Sequence, residues 1–222
     1  MNIITDYEWR THLPLLRYFI GEYSIKRIVE HGIGLHSTEL FLSSSNGKDI
    51  VYHAYEENVE MIDFISKRFN VSSNTISKLE IPASNITSIT KHRELSPSSK
   101  ELLGKIHDEL RNNIGLFDGL SLLLVDGYTC SRTSVINKLY DLFDIIIYHD
   151  AEPDATSWYE YYFEKGLLEN YDHYKLTTFF PWTGFFLKKD FPLKIGILNN
   201  YIKIFAKESN IKITNSTIVN YF

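Results

Sequence analysis

The chain has a single cysteine, Cys130, among 222 residues. One thiol builds no intrachain disulfide framework and no multi-cysteine zinc site. No apolar run reaches the roughly 20 residues that a membrane-spanning helix needs. The opening MNIITDYEWR is polar and acidic, unlike a secretory leader. A cytoplasmic location and no membrane partner are the expectation. A long basic block is also missing, and the net charge is −5. A broad positive face for nucleic acid is therefore not expected. Repeats, linkers and low-complexity tracts are absent, so residues 1–222 read as one domain. Residues 1–24 form its N-terminal helical segment and 191–222 a C-terminal extension.

What is present is an ordinary globular balance, 44% apolar and 23% charged, in a chain long enough for a substantial core. Leu13, Leu16, Phe19 and Ile20 recur at helical spacing and predict a helix over 12–22, with Pro14 in its first turn. Strands are expected at 25–30 and 50–55, and helices at 37–44 and 57–69. Residues 74–89 allow one or two short strands. Ser96-Pro97 opens a helix to about residue 112. LSLLLVD and DIIIYHD are nearly unbroken apolar runs, as in strands buried on both faces. A helix is expected at 133–142 between them, and another at 158–168 after them. YKLTTFF and TGFFLKK form two strands split by a turn at Pro181-Trp182. A helix at 195–207 and an optional strand at 211–219 close the chain.

Strands alternate with helices from 25 to 168, which implies a mostly parallel sheet with helices on both faces. The closing strand pair implies an antiparallel element at its end. Within that pattern RIVEHGIGLHST, residues 27–38, is the most informative stretch. A strand runs into Glu30, Gly32 and Gly34 follow two apart, and Ser37 and Thr38 open a helix. Such a turn lets a nucleotide-like ligand approach the backbone, with a carboxylate or phosphate at the helix N-terminus. The same turn also fits an ordinary strand-to-helix connection that uses glycine for positive φ. Glu56 follows after about 20 residues, the distance at which an acid binds ribose hydroxyls in dinucleotide folds. Asp126 ends LLLVDG, and His149-Asp150 end DIIIYHD. Acids gathered at the carboxyl ends of strands are costly unless a ligand, a metal or water meets them.

This order, with E-x-G-x-G after the first strand, resembles the class I S-adenosylmethionine-dependent methyltransferases over roughly residues 25–190. The resemblance implies a Rossmann-like, doubly wound α/β fold. Its mostly parallel seven-stranded sheet ends in an antiparallel β-hairpin, with helices on both faces. It implies S-adenosylmethionine held by Glu30, Gly32, Gly34, Ser37, Thr38 and Glu56. VDG followed by Arg132 and a strand ending in His149-Asp150 is similar to O-methyltransferases acting on sugars and related hydroxyls. The expected partner is thus a sugar or other small-molecule acceptor, anchored by Arg132 if it is acidic, with Trp158 and Trp182 as walls of its site. His149, Asp126 and Asp150 are the candidate catalytic residues. Two mechanisms fit: His149 as general base, or Mg²⁺ held by Asp126, Asp150 and Glu152.

His36 stands where many members of that family carry a third glycine. This departure keeps open a catalytically silent methyltransferase fold that serves as a binding or partner protein. A dinucleotide-dependent oxidoreductase is the other alternative. Ser37, where that fingerprint has its third glycine, argues against it. Asp126-Gly127 also fits a plain turn, and His149-Asp150 a strand-end cap.

Overall fold

A computed structural model describes residues 11–46, 49–56, 58–71, 76–78, 97–114, 119–127, 129–152, 162–179, 181–209 and 218–221. In chain order these are α1 (Leu13–Glu22), β1 (Ile25–His31), α2 (Leu35–Ser45), β2 (Val51–Glu56), α3 (Val59–Phe69), β3 (Ile76–Lys78) and α4 (Pro97–Ile114). Next come β4 (Leu120–Val125), α5 (Thr129–Leu139), β5 (Ile145–His149), α6 (Lys165–Asn170), β6 (Tyr171–Leu176), β7 (Thr183–Lys188), α7 (Ile195–Glu208) and β8 (Ile218–Tyr221).

The strands form one sheet in the order β3-β2-β1-β4-β5-β7-β6-β8. The first five are parallel; β7 runs against β5, β6 against β7, and β8 against β6. The α/β alternation and the closing hairpin are as expected, and β8 adds an eighth strand at the hairpin edge. The carboxyl ends of β1 and β4 are neighbours, with His31 opposite Val125. The chain turns from β1 to β2 on one side, and β4 is followed by β5 on the other. That reversal of direction is where open α/β sheets hold ligands.

The apolar runs are continuous because both faces are covered. On one face Ile28, Leu122, Leu124, Ile145, Ile147 and Phe185 pack beneath α1, α2, α3 and α7. On the other, Val29, Leu123, Val125, Ile146, Tyr148 and Phe186 pack beneath α4, α5 and α6. Tyr148 fits because Gly184 opposite has no Cβ; one built there would stand 2.0 Å from the Tyr148 ring. Its hydroxyl meets His173 Nε2 at 2.7 Å. Among the described residues no helix is long and apolar enough to cross a membrane.

Several boundaries differ from the sequence reading. Helix α5 starts at Thr129 rather than Thr133, directly behind the Asp126-Gly127 turn. The helix expected over 158–168 appears as α6 alone, since 162–164 are not helical and 153–161 lie outside the described residues. Strand β6 begins at Tyr171 because it pairs from there with Lys188. The Tyr171 hydroxyl donates to the carbonyls of Tyr140 and Phe143, both at 2.7 Å, which fixes that start.

Candidate active site

The turn after β1 is built by glycine chemistry at one position and left open at another. Gly32 has φ +85°, and a Cβ there would lie 2.1 Å from Gly127 N. Two loops, after β1 and after β4, therefore touch backbone to backbone at the crevice floor. Gly34 is different. Its φ of −140° suits any residue, and a Cβ would meet only Ser37 Oγ, at 3.3 Å. Among the described residues nothing demands glycine at 34, and the missing Cβ leaves the backbone there open to the approach of a ligand. Gly34 is also the N-cap of α2, which no side chain caps. The first-turn N–H groups of such a helix favour an anion.

Glu30 lies fully buried beneath this turn. Its Oε2 accepts from Thr38 Oγ1 at 2.9 Å and from the Tyr52 hydroxyl. Thr38 Oγ1 in turn accepts from Gly34 N at 3.1 Å, so Thr38 ties the acid to the loop. Glu30 Oε1 accepts no hydrogen bond. Burial pushes the carboxyl up to about 8, against the pull of the Ser37, Tyr52 and Thr38 hydroxyls. An unmet carboxyl oxygen in that place is the natural partner of a ligand's ammonium group. Glu56, at the end of β2, clamps the same loop: its Oε2 accepts from Ile33 N at 2.8 Å and its Oε1 from Asn58 N at 2.7 Å. Glu30, the uncapped α2 start, Gly34 and Glu56 thus gather an unmet carboxyl oxygen, helix-start N–H groups and a second carboxylate around one turn.

Across the crevice, Arg132 organises the acids. Its Nε donates to Gly127 O at 2.8 Å, its Nη1 to Asp150 Oδ2 at 2.7 Å and to His149 O at 3.3 Å, and its Nη2 to Asp126 Oδ1 at 3.2 Å. His149 Nδ1 lies 3.2 Å from Asp126 Oδ1 and 3.3 Å from Asp150 Oδ1. Its Nε2 meets the Thr11 hydroxyl at 2.9 Å. Burial lowers the His149 pKa, but Asp126 and Asp150 outweigh it, and the net shift is upward. For Asp126, burial acts upward and His149 with Arg132 prevail, holding it well below the usual carboxylate range. Asp150 sits at φ +58°, a left-handed conformation that Asp tolerates better than most residues. Strained backbone of this kind clusters at functional sites.

The sequence-predicted acids are thus brought together, but as an ion-pair network with a guanidinium between them. Glu152 stands at the same edge, where its Oε1 accepts from Trp182 N at 2.6 Å. Among the described residues no group of three His, Cys, Asp or Glu can hold a metal. The donor set expected for Mg²⁺ does not fit: Arg132 occupies the place between Asp126 and Asp150. Arg132 is likewise consumed by this network rather than held out toward an acceptor. Trp182 is half-buried at the same edge, while Trp158 lies outside the described residues.

Two residues had no signal in the sequence. Thr11 and His12 precede α1 and lie buried over the carboxyl ends of β4 and β5. The Thr11 hydroxyl bridges His149 Nε2 and Thr183 Oγ1, the latter at 3.4 Å. His12 Nδ1 lies 3.9 Å from Asp126 Oδ2, and its ring meets that of His149 edge-on at 5.5 Å.

Solved structures share this architecture. The chain is similar to a protein assigned as a caffeoyl-CoA O-methyltransferase from Staphylococcus aureus, with 15% identity, TM-score 0.50, and 83% of this chain and 85% of that one covered. It is also similar to the O-methyltransferase TomG from Streptomyces achromogenes, solved in complex with SAM. There the identity is 13%, the TM-score 0.51, and the coverage 81% of this chain and 79% of that one. The chain has the class I S-adenosylmethionine-dependent methyltransferase fold. No protein-family model matches it, and no curated protein matches it in sequence. With the fold assigned, the Glu30–Thr38 turn occupies the first strand-to-helix connection of a methyltransferase fold, at the crevice between β1 and β4.

Proposed function

We propose that this protein is an S-adenosylmethionine-dependent O-methyltransferase whose acceptor is a hydroxyl of a sugar or another small polar molecule. The observation that carries the reading is the buried Glu30 carboxyl, with Oε1 unmet, beneath a glycine at 34 that nothing among the described residues demands. S-adenosylmethionine supplies an electrophilic methyl carbon on a sulfonium. In this reading Glu30 receives its ammonium group, the α2 N-terminus its carboxylate, and Glu56 its ribose hydroxyls. Ser37 and Thr38 hold the loop in shape. Trp182 walls the acceptor side, and Trp158 is assigned there from the sequence. Asp126, Asp150, Arg132 and His149 fix the geometry opposite, where alignment of acceptor oxygen, methyl carbon and sulfur sets much of the rate. A cytoplasmic setting accompanies this reading, in keeping with a chain that has one cysteine.

A catalytically silent partner protein is the second reading. The observation that favours it is the closure of the Asp126–Arg132–His149–Asp150 network, in which both ring nitrogens of His149 are engaged. Transfer of labelled methyl from S-adenosylmethionine to a panel of sugars, phenols and peptides tests the two. Incorporation into a hydroxyl acceptor is the expected result. Binding of S-adenosylmethionine with no transfer to any acceptor favours the silent fold.

A further inference from the structure

His149 does not have the features of a working base. Its Nδ1 faces two carboxylates, its Nε2 meets Thr11, and its pKa is raised, which favours a proton already bound. His12 has the complementary features. It is 2% exposed, and neither Nδ1 nor Nε2 makes a hydrogen bond. A neutral imidazole carries one donor and one acceptor, and buried polar groups are nearly always satisfied. His12 is also held firmly. It stands at the start of α1, where its carbonyl accepts from Leu16 N at 3.1 Å, and Pro14 stiffens the turn that follows. Thr11 anchors the preceding position to β5 and β7. The ring is thereby fixed at the ligand-bearing edge of the sheet, beside the Asp126–His149 pair.

We infer that His12 is the general base that takes the proton from the acceptor hydroxyl, with Asp126 behind it to steady the imidazolium that forms. The inference rests on the methyltransferase reading above. The acceptor oxygen forms its bond to the methyl carbon, and the carbon–sulfur bond breaks with its electron pair on sulfur. The hydroxyl proton passes to a His12 ring nitrogen. The charge that leaves the sulfonium thus ends on His12, 3.9 Å from the Asp126 carboxylate. Arg132 and His149 are positioning residues that hold Asp126 for this task. The charged and titratable groups facing His12 are Asp126, His149, His36 and Arg132. Burial is the largest influence on its pKa and, with His149, His36 and Arg132, outweighs Asp126, lowering it to about 4. The ring is therefore neutral at physiological pH, as a base must be.

The test uses the full chain, His12→Gln and His12→Gly, with folding checked by circular dichroism. His12→Gln should lower kcat by ~10²–10⁴-fold, the usual scale for a lost general base, with S-adenosylmethionine affinity by calorimetry unchanged. Imidazole added to His12→Gly should restore turnover. Wild-type kcat/KM should stay level as pH falls through the ordinary histidine range. Ring-nitrogen NMR should show His12 neutral at pH 6 in the protein without acceptor. Full turnover in His12→Gln overturns the inference, as does a folded His12→Gly that imidazole does not rescue. So does a histidine-like pH limb that disappears in His149→Gln, which would put the base at His149. A wild-type chain that neither binds S-adenosylmethionine nor transfers methyl removes the methyltransferase reading, and this inference with it. Normal wild-type transfer with an unaffected His12→Gln removes this inference alone.

Discussion

Gly32 and Gly34 stand two positions apart in one turn, and replacing each with alanine should have opposite consequences. At Gly32, φ is +85° and a new Cβ would stand 2.1 Å from Gly127 N and 2.3 Å from Gly127 Cα. The left-handed conformation costs a side chain about 1–2 kcal/mol. Overlap with backbone that cannot rotate away adds about 1–3 kcal/mol more. Gly32→Ala should therefore lose roughly 2–5 kcal/mol, a large part of a stability that is usually about 5–15 kcal/mol. At Gly34 the backbone is extended and the new Cβ meets only a hydroxyl at 3.3 Å. Gly34→Ala should cost under about 1 kcal/mol, the scale of exchanging glycine for alanine at an N-cap. Its effect should fall on S-adenosylmethionine, whose affinity should drop by about tenfold or more, equivalent to about 1.4 kcal/mol. Urea denaturation measures the first effect and calorimetric titration the second. A Gly34→Ala protein that binds with wild-type affinity refutes the assignment of this loop as the cofactor cradle. A Gly32→Ala protein with an unchanged urea midpoint refutes the account of how the two loops meet.

The remaining predictions concern the buried charges. The Glu30 carboxyl sits at about 8 when folded, above its unfolded value, so it contributes stability at pH 4 that is lost as pH rises to 8. The slope approaches about 1.4 kcal/mol per pH unit inside that window. Glu30→Gln should flatten this slope in urea denaturation at pH 5 and pH 8 while weakening S-adenosylmethionine binding, and an unaltered slope contradicts the assignment. Arg132→Met removes the cation between two carboxylates and should cost about 3–5 kcal/mol at pH 7, as for breaking one side of a buried ion pair; an unchanged melting temperature rejects the network. His149 has a raised folded pKa, so its contribution is complete below its unfolded value and fades as pH rises through the folded one. His149→Gln should therefore lose most stability in mildly acidic solution and least in alkaline solution, and a pH-independent loss contradicts that sign. Glu56→Ala leaves Ile33 N and Asn58 N without their acceptor and should weaken S-adenosylmethionine by about 1–3 kcal/mol; calorimetry showing no change rejects its role.

What the sequence made legible was whatever local pattern encodes. The short apolar runs of β4 and β5, bounded by turn residues, read as strands covered on both faces, and the glycine turn after β1 reads as the opening of a helix. Acids at the ends of β1, β2, β4 and β5 were readable for the same reason: strand ends share one edge in a parallel sheet. Contacts across the sheet were not readable. Thr11 and His149 are 138 positions apart, and no spacing rule brings them together. The consumption of Arg132 by Asp126 and Asp150 was hidden likewise, because it depends on α5 beginning at Thr129, directly behind the β4 turn. His12 carried no motif at all. It is one histidine before a proline-started helix, and its significance arises only from the folding of α1 over the carboxyl ends of β4 and β5.

Calorimetric titration of the full chain with S-adenosylmethionine, with NAD run in parallel, tests the central claim most directly. The account predicts saturable binding of S-adenosylmethionine to one site per chain, weakened by Gly34→Ala and Glu30→Gln, and no heat with NAD. Binding of NAD in preference, or no binding of S-adenosylmethionine by a folded chain, would contradict it.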